Sequence, residues 1–146
     1  MPLRSTLTSP PRPPAIVTGA GALLQNYDVL FCDVWGVVHD GVRAYPKATD
    51  ALVRFREGGG TVILLTNAPV PRARVEAMLE ARHVPPEAYD DIVSSGGIAL
   101  AHIEAKGYRT AYYIGPRERD AAFFERATAR GVPLDEAEAI VCTGFV

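Results

Sequence analysis

Apolar residues fall in short unbroken runs separated by stretches of longer period. The runs are VLFCD at 29–33, TVILLTN at 61–67, DIVSS at 91–95, TAYYIG at 110–115 and AIVCTGF at 139–145. Their lengths suit strands, and VLFCD reads as a strand buried on both faces. Between them the period is helical. Ala48, Ala51, Leu52 and Phe55 share one helix face, with Pro46 at its start and Gly58, Gly59 and Gly60 at its end. Pro71 opens a second helix with Val75, Met78 and Leu79 facing inward; residues 97–106 form a third and residues 117–130 a fourth. A shorter helix is expected at 19–25. Regular alternation of strand and helix predicts an α/β fold with a parallel sheet and helical crossovers. No internal repeat is visible.

Composition narrows the function classes. With 146 residues, the chain has room for one domain or one and part of another. Apolar residues make up 48%, enough for a packed core. A net charge of −2 argues against binding nucleic acid by bulk electrostatics. No apolar run is long enough to span a membrane. Two cysteines, Cys32 and Cys142, with no CxxC or His cluster, fit a reducing cytoplasm and no structural metal. Residues 1–15 are proline-rich and basic without the apolar stretch of a secretory signal, so a disordered lead is expected. The sequence stops on Val146 directly after an apolar strand, so a fragment of a longer protein is expected.

Candidate chemistry sits at the strand ends, where open parallel sheets bind ligands. Asp33 follows the first strand, Thr66 and Asn67 the second, Ser94 and Ser95 the third. Neighbouring strands would bring the first two clusters to one small anion, with loop N–H groups as further donors. A carboxylate beside a phosphate requires a bridging divalent cation. It can then attack phosphorus and form an aspartyl-phosphate. Equally, an aspartate at a strand end can simply cap the next turn. TGAGAL, at 18–23, has two glycines of a dinucleotide fingerprint but lacks the third and a preceding strand.

FCDVWGVVHDG at 31–41, with ILLTNAP about thirty residues later, resembles the haloacid-dehalogenase-like (HAD) superfamily of phosphotransferases. The form Asp-Val-Trp-Gly-Val is most similar to a subgroup of class IIA, the NagD-like or p-nitrophenylphosphatase-like class, in which a large α/β cap follows the third core strand. The resemblance implies a three-layer Rossmann-like core over residues 16–95 and the start of a cap over 96–146. It further implies that Asp33 is the nucleophile and a Mg2+ ligand, and that Thr66, with Asn67 beside it, binds phosphate. Position 35 in the family usually carries a second Asp, which protonates the leaving oxygen and then activates water; its backbone carbonyl binds the metal. Here it is Trp35, which keeps the carbonyl and loses the acid. Losing a general acid typically costs about 10²–10⁴-fold in rate. Gly36, His39 and Asp40 would then contact the site from the flap, and His39 or Asp40 is the available substitute acid. The family's Lys and its acidic metal-ligand pair would lie beyond Val146.

Two functions compete on these residues. One is a Mg2+-dependent phosphatase acting, as a full-length parent, on a small phosphorylated metabolite, with a possible homo-oligomer through the cap; the 146 residues alone are expected to be inactive. The other is a non-catalytic HAD homologue that binds phosphorylated ligands. Related HAD chemistry on C–Cl or C–P bonds is a weaker third. Tyr112 and Tyr113 are expected in a core or interface, and the charged run PRERD at 116–120 as a solvated helix start.

Overall fold

The computed structural model describes residues 16–145, so the proline-rich lead falls outside the described residues. After a single helical turn, α1 (Gly21–Leu24), come β1 (Val29–Asp33), α2 (Pro46–Glu57), β2 (Thr61–Thr66), α3 (Arg72–Glu80) and β3 (Asp91–Ser94). The three strands form a parallel sheet in the order β1-β2-β3. Proline sits in the first turn of α2 and immediately before α3, where its missing N–H costs nothing.

One face of this sheet is packed and the other is open. Cys32, Val62, Leu64 and Ile92 point toward Leu52 of α2 and Val75 and Leu79 of α3, and together they form the main core. Full burial of a side chain such as Leu64 stabilises by about 1.5–3 kcal/mol relative to leaving it exposed. Alternate residues emerge on the opposite face, where Val29, Phe31 and Leu65 are exposed. The expectation that VLFCD is buried on both faces is therefore corrected. Its apolar run reflects two surfaces, of which the described residues cover one.

The second half of the chain builds a smaller parallel sheet. α4 (Ser95–Lys106) leads through Gly107, in the left-handed conformation at φ 67°, into β4 (Thr110–Ile114). α5 (Ala121–Phe124), β5 (Arg130–Gly131) and β6 (Ala139–Cys142) follow, and the strand order is β5-β4-β6. Here the predicted helix over 117–130 is corrected to the one turn of α5. The edge of β4 takes the end of that segment: Arg130, and beyond it Val132, donate their N–H groups to the carbonyls of Arg109 and Ala111. The core of this half is small, built on Ile103, Ala111, Phe123 and Ala129. Ile103 belongs to α4, so that helix packs with the second sheet while its first residues are tied to loops of the first. The whole is a Rossmann-like parallel sheet with flanking helices, followed by the beginning of a second α/β unit.

Two acidic residues fix the amino-terminal ends of the two sheets in the same manner. Asp90, just before β3, accepts from the Val62 N–H at 2.8 Å and from Arg56 at 2.6 Å. Glu138, just before β6, accepts from the Arg109 N–H at 2.6 Å. These hydrogen bonds hold both carboxyls below their usual range, with the Arg56 side chain the main cause at Asp90 and the Arg109 backbone at Glu138.

Candidate functional site

Asp33 ends β1 opposite Leu65, and Thr66 lies one step further along β2, opposite Ser94. The two candidate residues thus leave adjacent hydrogen-bonded strands at the same edge of the sheet. The pleat turns them toward opposite faces, so a shared ligand must sit over the strand ends. Asp33 is exposed; its Oδ1 accepts the N–H of Val34 at 2.8 Å, and its Oδ2 has no protein hydrogen-bond partner among the described residues. That bond goes to the next residue's own N–H and occupies one carboxylate oxygen. Thr66 Oγ1 accepts the Ala68 N–H at 3.2 Å, which leaves its own O–H free to donate. Asn67 is exposed beside it.

The third polar cluster serves the fold. Ser94 Oγ donates to the Val70 carbonyl at 2.7 Å and accepts the Gly97 N–H at 3.1 Å, capping α4. Ser95 Oγ donates to the carbonyls of Asn67 and Ala68 at 2.8 and 3.1 Å. Gly96 packs so closely under this loop that a Cβ there would lie 2.3 Å from the Val70 nitrogen. The loop carrying Asn67 is therefore stitched to the start of α4.

Residues 34–45 form a turn held from several directions. Gly36, at φ 78°, donates its N–H to the His39 carbonyl at 2.8 Å. Asp40 Oδ1 accepts the N–H groups of Val42 and Arg43, both at 2.8 Å, and these bonds lower its pKa. His39 is buried, and its Nδ1 accepts the Gly41 N–H at 2.9 Å. Burial, then the nearby Arg82, push its pKa down, which favours the neutral ring. Arg82 was not apparent from sequence. From just beyond α3 its Nε donates to the Gly41 carbonyl at 3.0 Å and its Nη1 to the Met78 carbonyl at 2.6 Å. Trp35 stays 63% exposed. Its ring meets His39 edge-on at 5.6 Å, and a Cβ at Gly41 would lie 2.5 Å from the far edge of the indole.

A Mg2+ ion takes oxygen ligands, typically one or two carboxylates with phosphate and water completing the octahedron. Asp33 Oδ1, which keeps a lone pair beside its bond to Val34, and a backbone carbonyl at Trp35 are donors of the right kind and meet the minimum of that set, with Oδ2 left for phosphorus. Among the described residues, no three His, Cys, Asp or Glu side chains gather into a metal cluster. A separate cavity of about 630 Å³ lies between α1 and the end of α2, lined by Gly21, Tyr27, Arg54, Phe55 and Gly60. It includes neither Asp33, Trp35, Thr66 nor Asn67. TGAGAL borders it as a single exposed turn, with no described strand before it. No helix among the described residues is long and apolar enough to cross a membrane.

Comparison with curated proteins finds no match. Among solved structures, the chain is similar to a hydrolase of the haloacid dehalogenase-like family from Brucella suis 1330. The two are 42% identical with a TM-score of 0.75, over 85% of this chain and 47% of the other. The chain thus spans about half the length of that relative. The sequence pattern of the haloacid dehalogenase-like hydrolases matches residues 30–131, from β1 through β5. Both the sheet that carries Asp33 and most of the smaller sheet fall inside that match, and the chain belongs to the haloacid dehalogenase-like hydrolase family.

Proposed function

We propose that the protein hydrolyses phosphate esters of a small metabolite through an aspartyl-phosphate on Asp33, as a class IIA member with residues 96–146 opening its cap. The observation that carries this reading is the exposed Asp33 carboxylate, with one oxygen free, one register step from Thr66 on the paired strand. Asp33 Oδ2 attacks phosphorus and the bond to the leaving oxygen breaks. Water then attacks the same phosphorus, frees inorganic phosphate, gives up its proton to the medium and restores the carboxylate. The Thr66 hydroxyl and the N–H groups around Asn67 hold the phosphoryl oxygens. Magnesium bound by Asp33 and the Trp35 carbonyl would neutralise phosphoryl charge. In a protein that carries these residues together with the rest of the core, turnover of phosphate esters with Mg2+ should fall by about 10³-fold or more in Asp33→Asn. Unchanged turnover in that variant would refute the reading.

One observation favours a second reading, a phospho-ligand binder without turnover. Position 35 has no ionisable side chain, and the nearby His39 is buried with Nδ1 already bonded. Installing an acid by Trp35→Asp should raise hydrolysis under either reading. Robust wild-type turnover of alkyl phosphates counts against the binder.

A further inference from the structure

The loop after β2 carries a hydrogen-bond relay that ends on the Thr66 hydroxyl. It starts at Ser95, the first residue of α4. Ser95 Oγ has the carbonyl oxygens of Asn67 and Ala68 at 2.8 and 3.1 Å. Carbonyls only accept, so the single serine proton is committed to them. The Asn67 carbonyl and the Ala68 N–H belong to one planar trans peptide and point in opposite directions. Fixing the carbonyl toward Ser95 fixes the N–H away from it, and that N–H donates to Thr66 Oγ1 at 3.2 Å. With a lone pair so taken, Thr66 has its proton aimed elsewhere. The peptide has little freedom to turn otherwise. Pro69 disfavours a helical Ala68, and the Gly96 N–H holds the Ala68 carbonyl at 3.1 Å. Gly96 also lies too close to the Val70 backbone to admit a Cβ.

We propose that Ser95 is a positioning residue for the Thr66 hydroxyl, acting through the Asn67–Ala68 peptide. This rests on the phosphatase reading, in which Thr66 binds the phosphoryl group, and adds to it how that hydroxyl is aimed. Ser95 itself keeps only lone pairs for the site, which a phosphate anion repels, so its effect on a ligand runs through the peptide. Without the Ser95 hydroxyl the peptide is free to tilt, and Thr66 loses the bond that orients it. α4 also contributes Ile103 to the core of the second sheet. One helix thus fills the second core and aims a hydroxyl of the first sheet.

The test uses a protein that carries these residues together with the rest of the core, titrated calorimetrically with inorganic phosphate and Mg2+. Ser95→Ala should weaken phosphate binding by about three- to tenfold, the worth of one ordinary hydrogen bond. Ser95→Thr, which keeps the hydroxyl, should restore most of it, with thermal melts confirming that each variant folds. Thr49→Ala removes a comparable bond, from Thr49 Oγ1 to the Pro46 carbonyl at 3.0 Å within α2. It should leave the affinity unchanged, which separates positioning from loss of stability. A double-mutant cycle decides the route. In a Thr66→Val background, Ser95→Ala should cost nothing further, because the group it aims is gone. Additive effects of the two substitutions, or undiminished affinity in Ser95→Ala, would overturn the relay and leave the phosphoryl site standing. No phosphate binding by the unsubstituted protein, or unchanged binding in Thr66→Val, would overturn that site and this inference with it.

Discussion

Two aspartates stand at the carboxyl-terminal edges of the two parallel sheets, and they are in opposite states. Asp120, after β4, is 1% exposed, and both of its oxygens are held by Arg119 at 2.8 Å. Arg119 also donates to the Thr143 carbonyl beyond β6, so the pair ties two strand ends together. The Arg119 guanidinium holds the Asp120 carboxyl below its usual range, against the opposing effect of burial. Asp33, after β1, is exposed, has no cationic partner among the described residues, and keeps one oxygen free. Position in the sheet is alike; what differs is satisfaction. A carboxylate whose bonds are all made within the protein is part of the structure. One held out at a strand end with a vacant oxygen can serve a ligand.

The sharpest break of this comparison is to neutralise each aspartate in turn. In a protein that carries the rest of the core, Asp33→Asn should remove turnover by about 10³-fold or more and leave the thermal midpoint unchanged. Asp120→Asn should do the reverse, costing about 1–3 kcal/mol of stability by weakening bonds to a charged partner. Acid sharpens the second half. The depressed Asp120 carboxyl contributes stability that is fully present above the unfolded value of about 3.9 and is lost as pH falls through the lower folded value. Thermal melts should therefore show a loss below about pH 4 that is reduced in Asp120→Asn. A stable Asp120→Asn protein with an unchanged acid limb would contradict the structural role.

Smaller effects belong to the thiols. Cys32 is nearly buried beside Asp33; burial first, then the Asp33 charge, push its pKa up. Cys142 is exposed. Labelling with a thiol reagent should modify Cys142 first, with Cys32 slower by about tenfold or more. In Asp33→Asn, Cys32 labelling should quicken slightly, because the smaller of the two causes is gone. No change in that rate would mean that the Asp33 charge is not felt at Cys32.

The pattern of apolar runs and glycine and proline stops was enough to read five of the six strands and the helices beginning near Pro46, Pro71 and Ser95. It also marked Asp33 and Thr66 as strand-end residues, and the register places them on adjacent strands. What it could not show depends on partners distant in sequence. Arg82 reaches back from beyond α3 to hold Gly41, and no local motif announces such a bond. Ser94 and Ser95 resemble ligand groups in sequence, but their hydroxyls are directed to the loop at 67–70. In PRERD the expectation of a solvated helix start fails at Asp120, whose burial follows from Arg119 and the strand ends around it. β5 was missed because only the free edge of β4 gives two residues a strand's geometry. The uncovered face at Val29, Phe31 and Leu65 was misread for a similar reason: an apolar run does not say what covers it.

The most direct test of the account is chemical trapping of the intermediate. Borohydride reduces an acyl phosphate on aspartate to homoserine, which peptide mass spectrometry locates. A protein that carries the rest of the core, quenched during turnover of a phosphate ester with Mg2+, should carry homoserine at position 33 and nowhere else. Turnover that continues with position 33 unmodified, or with the label on another carboxylate, would contradict it.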